Sequence, residues 1–174
     1  VGVNPEMDCL ALAASDFSGN LITEKVRVPY EYENTPESLE RLGEIINEFI
    51  ATLPLAKEEI LQVCVNLAER VNPFEGRAYN MFTFLKESLT DKLTELIQLP
   101  VCIENDSRSM AFAEYCKGCC KGVKNVIFVN VCWGLGIGII INGQLFYGKS
   151  GYSGEFGHMD TETAVASTGH QLPQ

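Results

Sequence analysis

Residues 99–106 read LPVCIEND, an apolar run that ends in three polar residues. Val101 to Glu104 predicts a short strand, because an apolar stretch bounded by proline and polar residues is typical of a buried strand. The following stretch, Asp106 to Cys120, predicts a helix whose inner face carries Met110, Ala113 and Cys116. A strand that passes directly into a helix is the repeating unit of an α/β fold.

The residues upstream of this unit predict the same alternation. Cys9 to Ser15 and Leu21 to Val28 predict a β-hairpin around the turn residues DFSGN. Apolar residues at helical spacing predict a helix from Pro36 to Leu53, with Thr35 as its cap and Pro54 as its stop. The further predicted elements are a strand at 60–67, a loop at 71–77, a helix at 85–97 and strands at 126–132, 137–141 and 145–147.

Together these elements predict an α/β architecture, a mixed sheet with flanking helices. A turn at Asn142-Gly143 predicts a second hairpin, and two hairpins exclude a purely parallel sheet. We expect two lobes, the first formed by residues 1–120 and the second beginning within residues 121–174. The sequence shows no internal repeat and no low-complexity stretch.

Composition narrows the classes of protein. Hydrophobic residues make up 46% of the chain and charged residues 21%, so a mainly disordered chain is excluded. The net charge of −10 disfavours nonspecific nucleic-acid binding through this segment, because phosphate affinity depends on Lys and Arg. The longest apolar run, 126–141, is interrupted by Asn130 and by glycines, which argues against a membrane span.

The cysteine content indicates a reducing compartment. The chain has seven cysteines, an odd number that does not fit a disulfide framework. Cys64, Cys102 and Cys132 stand in apolar runs and are interpreted as reduced, buried thiols. We therefore expect a cytoplasmic protein.

Asn105 and Asp106 are the first candidate site residues. Both stand where a predicted strand ends and a helix begins, so either side chain suits a helix cap, which is the structural alternative. In an open α/β sheet the same position binds ligands, and there an amide and a carboxylate can hydrogen-bond vicinal hydroxyl groups. The carboxylate of Asp106 can also accept a proton from a hydroxyl group.

Glycines dominate the other two candidate stretches. Residues 131–140 read VCWGLGIGII, where Gly134, Gly136 and Gly138 fit a phosphate-binding turn or equally a tight turn without a ligand. Residues 148–159 read GKSGYSGEFGHM and enclose two reactive side chains, Glu155 and His158. The alternative for this last stretch is a loop with a surface acid and an ordinary histidine.

Taken together, the three stretches resemble the ROK family of bacterial sugar kinases and sugar-responsive transcriptional regulators. The matching elements are LPVxIEND at 99–106, the glycine turn at 134–138 and GEFGH at 154–158. The resemblance implies a ribonuclease H-like, actin-like ATPase (sugar kinase) fold. It also implies that Asn105, Asp106, Glu155 and His158 bind a small sugar or amino sugar. In a kinase of this family Asp106 would be the general base, and the histidine is commonly a zinc ligand.

The sequence departs from the kinase pattern at both phosphate loops. Kinases of this family open with an Asp-x-Gly-Gly-Thr turn, whereas residues 1–8 read VGVNPEMD. Cys132-Trp133 replaces the small residues before Gly134, so Gly134, Gly136 and Gly138 are interpreted as a phosphate-loop remnant. We therefore expect a sugar sensor that needs no ATP or magnesium, with an ATP-dependent sugar kinase and a non-binding scaffold as alternatives.

The resemblance also sets expectations for metal and partners. No cysteine follows His158, so no bound zinc is expected. We expect a fragment of a longer regulator that contacts DNA only through an N-terminal winged helix-turn-helix outside this sequence. Apolar surface left uncovered by such a fragment favours a homo-oligomer.

Overall fold

A computed structural model describes residues 1–132 and 134–158 of the chain. Its strands are β1 (Gly2–Pro5), β2 (Cys9–Ala13), β3 (Val26–Pro29), β4 (Val63–Leu67), β5 (Val71–Asn72), β6 (Arg77–Ala78), β7 (Val101–Asn105), β8 (Val126–Val131), β9 (Leu135–Ile141) and β10 (Gln144–Leu145). Its helices are α1 (Pro36–Ala51), α2 (Leu89–Ile97) and α3 (Asp106–Lys117), with short 3₁₀ turns at Lys57–Glu59 and Phe156–His158.

Five strands form the first sheet, in the order β3-β2-β1-β4-β7. The strands β3, β2 and β1 are antiparallel neighbours, whereas β1, β4 and β7 run parallel. The sheet is therefore mixed, as predicted. Its central strand β1 was not predicted, because Pro5 and the charged residues after it hide a strand of only four residues.

Helices α1 and α2 cover one face of this sheet. Thr35 caps α1 by accepting a hydrogen bond from the Ser38 amide at 3.2 Å, and Pro36 occupies the first turn, as predicted. The inner face of α1 and the alternate residues Val63, Val65 and Leu67 of β4 belong to one apolar cluster, and the three β4 residues are fully buried. This apolar layer is the main core of the molecule.

The second sheet has the order β10-β9-β8 and is antiparallel throughout. Helix α3 packs against β8 and β9. At its first turn α3 also meets the first sheet, since Ser109 Oγ donates to Asn66 Oδ1 at 2.7 Å. Asn66 points away from the buried valines of β4, so α3 begins on the face opposite α1 and α2. The division into lobes at residue 120 stays a prediction.

The buried face of α3 differs from the predicted one. Ser107, Arg108 and Ala111 are buried, whereas Met110 and Ala113 are exposed and Cys116 is only half-buried. Apolar character therefore does not mark the packed face of this helix, which instead uses the small side chains of Ser107 and Ala111 together with the guanidinium group of Arg108. The prediction of buried thiols is wrong for Cys132, which is exposed, while Cys64 and Cys102 are half-buried.

Two further differences lie at element ends. The predicted loop at 71–77 contains the small hairpin β5–β6, and α2 begins only at Leu89, after its cap residue Ser88. Among the residues described, no helix is long and apolar enough to cross a membrane.

Candidate functional site

Asn105 and Asp106 lie together at the carboxyl end of β7, where the strand passes into α3. The Asn105 side chain caps the helix: its Oδ1 accepts from the Arg108 amide at 3.0 Å, and its Nδ2 donates to the Glu69 carbonyl at 3.1 Å. The structural alternative considered for Asn105 is thus realised. A side-chain amide has two lone pairs and two hydrogens, so one of each remains for a ligand.

Asp106 keeps more of its hydrogen-bonding capacity. Its Oδ1 accepts from the Ser107 amide at 2.6 Å and from the Ser107 hydroxyl at 3.1 Å. Within the described part of the chain, Oδ2 accepts no hydrogen bond, although the residue is half-buried. A half-buried carboxylate oxygen at the end of a parallel strand can accept a hydrogen bond from a ligand hydroxyl.

The glycines after β8 do not form one turn, which corrects the prediction of a turn at 134–138. Only Gly134 lies in the turn, and a Cβ atom added there would meet nothing within 4 Å. Gly136 and Gly138 lie inside β9, where a Cβ atom would overlap Ser107 or Ala111 of α3. Their absent side chains let the helix approach the sheet; the role of the three residues as a phosphate-loop remnant stays a prediction.

The glycine segment, residues 146–157, runs along the edge of β9 that faces away from β8. The Phe146 amide donates to the Ile139 carbonyl at 2.8 Å. Further along, a Cβ atom on Gly154 would overlap the Ile137 carbonyl, and one on Gly157 would lie 2.7 Å from the Leu135 carbonyl. Gly154 also has φ +88°, which favours glycine. The segment therefore depends on glycines for its course.

Glu155 lies within this segment and is half-buried between the two packed glycines. His158 ends the last 3₁₀ turn, and its side chain lies outside the described residues. The structure thus joins the three sequence stretches through β9, which contacts α3 on one side and the glycine segment on another. The assignment of Asn105, Asp106, Glu155 and His158 to sugar hydroxyls stays a prediction.

Arg108 is a site residue that the sequence reasoning missed. Its side chain is 1% exposed, and its Nε donates to Glu104 Oε1 at 2.7 Å. Nη2 donates to the Val71 carbonyl at 2.8 Å, and Nη1 donates to the Gly151 carbonyl. A charged residue four positions after Glu104 at a strand-to-helix junction was the available signal.

Tyr147 completes the surroundings of this guanidinium group, whose carbon lies 5.3 Å from the centre of the Tyr147 ring. Burial and the neighbouring Glu104 carboxylate raise the pKa of Tyr147 to about 12. Glu69 acts nearby: its carboxylate accepts from the amides of Asn80 and Met81 at 2.6 and 3.0 Å, and burial raises its pKa. The backbone carbonyl of Glu69 is the group that accepts from Asn105 Nδ2.

Two aromatic pairs join the β5–β6 region to the glycine segment. The rings of Phe74 and Tyr147 lie 5.1 Å apart, and those of Tyr79 and Tyr152 lie 5.2 Å apart, each edge to face. Such pairs stabilise a contact beyond the apolar area they bury. The glycine segment is therefore attached to the first half of the chain at several points.

The turn between β1 and β2 is closed by an acidic residue. The Glu6 amide donates to the Cys9 carbonyl at 2.8 Å, and its carboxylate pairs with Lys25 and Arg27, each at 3.1 Å. These two cations lower the pKa of Glu6 to about 2. Pro5 has no amide hydrogen, so this turn offers few donors to an anion.

Across residues 1–132 and 134–158, no group of three or more His, Cys, Asp or Glu side chains is arranged to hold a metal ion. The prediction about zinc concerns His158 and the residues after it, whose placement is outside this range, and it stays a prediction.

Comparison with known proteins gives one family. The model of the ROK family matches residues 7–171. The chain is 28% identical to the xylose repressor of Bacillus subtilis, over 91% of this chain and 41% of the repressor. It is 33% identical to the glucokinase of Streptomyces coelicolor, over 91% of this chain and 49% of the glucokinase. The chain thus spans less than half the length of these two relatives.

Solved structures agree with the predicted fold class. The crystal structure of a ROK family glucokinase from Streptomyces griseus, in complex with glucose and AMPPNP, superposes with a TM-score of 0.71. It is 29% identical and is matched over 91% of this chain and 49% of that chain. A ROK hexokinase from Thermus thermophilus gives a TM-score of 0.74. The mixed sheet with flanking helices is therefore the actin-like, sugar-kinase type of fold.

Proposed function

Because this chain belongs to the ROK family, we propose that it forms part of the sugar-binding region of a transcriptional regulator. In this proposal it binds a small carbohydrate in the cytoplasm and does not phosphorylate it. DNA contact would come from a winged helix-turn-helix elsewhere in the same protein. The relatives include both a xylose repressor and a glucokinase, so the choice between regulator and kinase rests on the residues of this chain.

The observation that carries the sugar proposal is the position of Asp106. Its Oδ2 is available at the carboxyl end of a parallel strand, beside the remaining donor and acceptor of Asn105. A pair of vicinal hydroxyl groups can donate to the carboxylate and accept from the amide. Such paired hydrogen bonds allow a polar site to recognise a sugar. Glu155 and His158, on the glycine segment, would contact further hydroxyls.

The β1–β2 turn supports the regulator over the kinase. Phosphoryl transfer depends on positive groups and amides placed around the phosphates and magnesium. In this turn the Glu6 carboxylate brings a negative charge, and the two neighbouring cations are already paired with it. Pro5 lacks an amide hydrogen and the Glu6 amide is used by Cys9. These features disfavour a bound nucleoside triphosphate at this turn.

The proposed mechanism is a shift between two arrangements of the protein. A sugar that contacts both the end of β7 and the glycine segment favours the arrangement that holds the two together. That preference would reach an attached DNA-binding domain only if the domain responds to the same two arrangements. Self-association through apolar surface is part of this proposal.

Calorimetric titration of the full-length protein with D-glucose, D-xylose and N-acetylglucosamine tests sugar binding. We expect at least one sugar to bind, and Asp106→Asn to weaken that binding at least about 10-fold through loss of a charged acceptor. Asp91→Asn is the matched control, because Asp91 also lies in the first turn of a helix, α2. Binding to none of the sugars, or equal weakening by both variants, would reject the proposal.

The kinase is the second candidate, since the Streptomyces coelicolor glucokinase is 33% identical to this chain. In that case Asp106 would remove a proton from the attacking hydroxyl. An assay coupled to ADP release, run with the same three sugars, separates the candidates. Sugar-dependent ADP release that Asp106→Asn abolishes would establish the kinase and overturn the regulator.

A further inference from the structure

Arg108 connects the two halves of the candidate site. It is two residues beyond Asp106 on α3, and its guanidinium group reaches the Gly151 carbonyl within the glycine segment that carries Glu155. The Arg108 backbone amide meanwhile donates to Asn105 Oδ1 at 3.0 Å. One residue therefore contacts both Asn105 and the glycine segment, residues 146–157.

The burial of Arg108 shows that these contacts are needed. Its side chain is 1% exposed, and a buried cation is costly unless it is paired and its donors have acceptors. Glu104, with its side chain 13% exposed, neutralises the charge at 2.7 Å. The remaining two nitrogens each donate to a carbonyl, of Val71 and of Gly151. Each of the three guanidinium nitrogens thus donates to an acceptor within the protein.

Gly151 supplies the acceptor for Arg108 in the glycine segment. A Cβ atom at this position would lie 3.2 Å from the Val71 carbonyl and 3.3 Å from Asn72 Cα, and φ is +79°. Only glycine combines this conformation with so close an approach. The carbonyls of Val71 and Gly151 are thereby placed side by side on one guanidinium group.

We propose that Arg108 is the positioning residue that holds the glycine segment, and with it Glu155, at a fixed place relative to Asn105 and Asp106. The part of the proposal that concerns sugar affinity rests on the proposed function. A ligand that contacts both halves binds more tightly when their spacing is already set, because less conformational freedom is lost on binding. Arg108 acts through backbone carbonyls and is not itself a catalytic residue.

Two variants disrupt the contact between Arg108 and the glycine segment, one on each side of it. Arg108→Lys keeps the positive charge for Glu104, but a single ammonium group lacks the planar fork that reaches two carbonyls at once. Gly151→Ala pushes the segment away from Val71 without removing a buried charge, so it carries the test even if Arg108→Lys does not fold. Ile46→Val, a small truncation in the buried face of α1, serves as a structural control remote from these contacts.

Hydrogen exchange measures the link without any sugar. The amides of Phe146, Ser153 and Phe156 report on the glycine segment, since each donates to a backbone carbonyl. We expect Arg108→Lys and Gly151→Ala to speed exchange there about 10-fold while β4 stays unchanged. Unchanged exchange in the segment, or equal acceleration in β4, would overturn the proposal.

Titration with D-glucose, D-xylose and N-acetylglucosamine then separates positioning from simple stabilisation. For a sugar that binds the wild type, each variant should raise Kd about 10-fold, and the double variant should be no weaker than the weaker single one. Ile46→Val should leave Kd unchanged. If Arg108→Lys leaves Kd unchanged while Asp106→Asn still weakens sugar binding, the positioning role of Arg108 is rejected and the proposed function stands. If no sugar binds the wild type, the proposed function is rejected. The hydrogen-exchange result then decides by itself whether Arg108 holds the glycine segment in place.

Discussion

The two sheets of this molecule have similar strands and opposite surroundings. In β4 the alternate residues Val63, Val65 and Leu67 are fully buried beneath two helices. In β8 the alternate residues Ile127, Val129 and Val131 are 71%, 52% and 76% exposed. Each of these three pairs across the sheet with an apolar residue of β9. The same alternation of side chains therefore produces a core in one sheet and an apolar surface in the other.

The alternation of apolar residues along a strand determines which side chains share a face of the sheet. Packing against helices determines whether that face is buried or exposed. Three adjacent β-branched side chains at the surface expose a contiguous apolar patch, which monomeric proteins generally keep small. The chain spans less than half the length of the xylose repressor and of the glucokinase that it matches. The two sheets consequently differ in what their apolar residues contribute to the stability of this chain.

The largest effect should come from replacing one isoleucine in each sheet. Ile103→Ala in β7 removes a side chain that is 1% exposed, and we expect it to lower the free energy of unfolding by about 2–5 kcal/mol. Ile127→Ala in β8 should cost less than about 1 kcal/mol. Denaturant unfolding with both midpoint and slope measures the two values. Equal costs would show that the β8 face is covered in solution and would break the comparison.

The first sheet was also the more predictable of the two. Helix α1 was confirmed from its Thr35 cap to its apolar spacing, because cap chemistry and helical periodicity are local signals. Strand β1 was missed because Pro5 and the charged residues after it hide a strand of four residues, which the fold places between β2 and β4. The buried face of α3 was wrong because close approach to glycines, rather than apolar side chains, defines it.

The next effect sharpens the comparison within the second sheet. Gly138→Ala would place a Cβ atom against Ala111 and 2.7 Å from the Ser107 carbonyl, so we expect a loss of about 1–3 kcal/mol. Gly134→Ala meets open space and should change stability by less than about 1 kcal/mol. Thermal unfolding of both variants measures the difference. Equal tolerance would mean that α3 does not pack closely on β9.

The candidate site was predictable only in part. The motifs at 99–106 and 154–158 identified candidate residues, and the family they indicated is confirmed. Arg108 was missed, because its partners Val71 and Gly151 are backbone carbonyls 37 and 43 residues away along the chain. A backbone acceptor has no signature in the sequence. The role of a buried cation therefore emerges only when the fold brings distant carbonyls together.

A smaller effect concerns Tyr147, which lies in the glycine segment. Its pKa is raised to about 12, so its neutral form is favoured in the folded protein. The stabilisation is complete below the usual tyrosine pKa of about 10 and is lost as the pH rises towards 12. Tyr147→Phe should lose about 1 kcal/mol at pH 7, and the difference from wild type should shrink between pH 10 and 11.5. Urea unfolding across this range measures it; a constant difference would contradict the stated environment.

The smallest effect concerns the ion pairs of Glu6 at the β1–β2 turn. Glu6→Gln should cost less than about 1 kcal/mol at pH 7, because exposed ion pairs contribute little compared with the buried residues beside them. The folded pKa of about 2 lies below the usual value, so the contribution is present above about pH 4.5 and is lost as the pH falls towards 2. Wild type and variant should therefore converge in acid. A loss as large as that of Ile103→Ala would mean that charge, rather than apolar packing, holds the first sheet together.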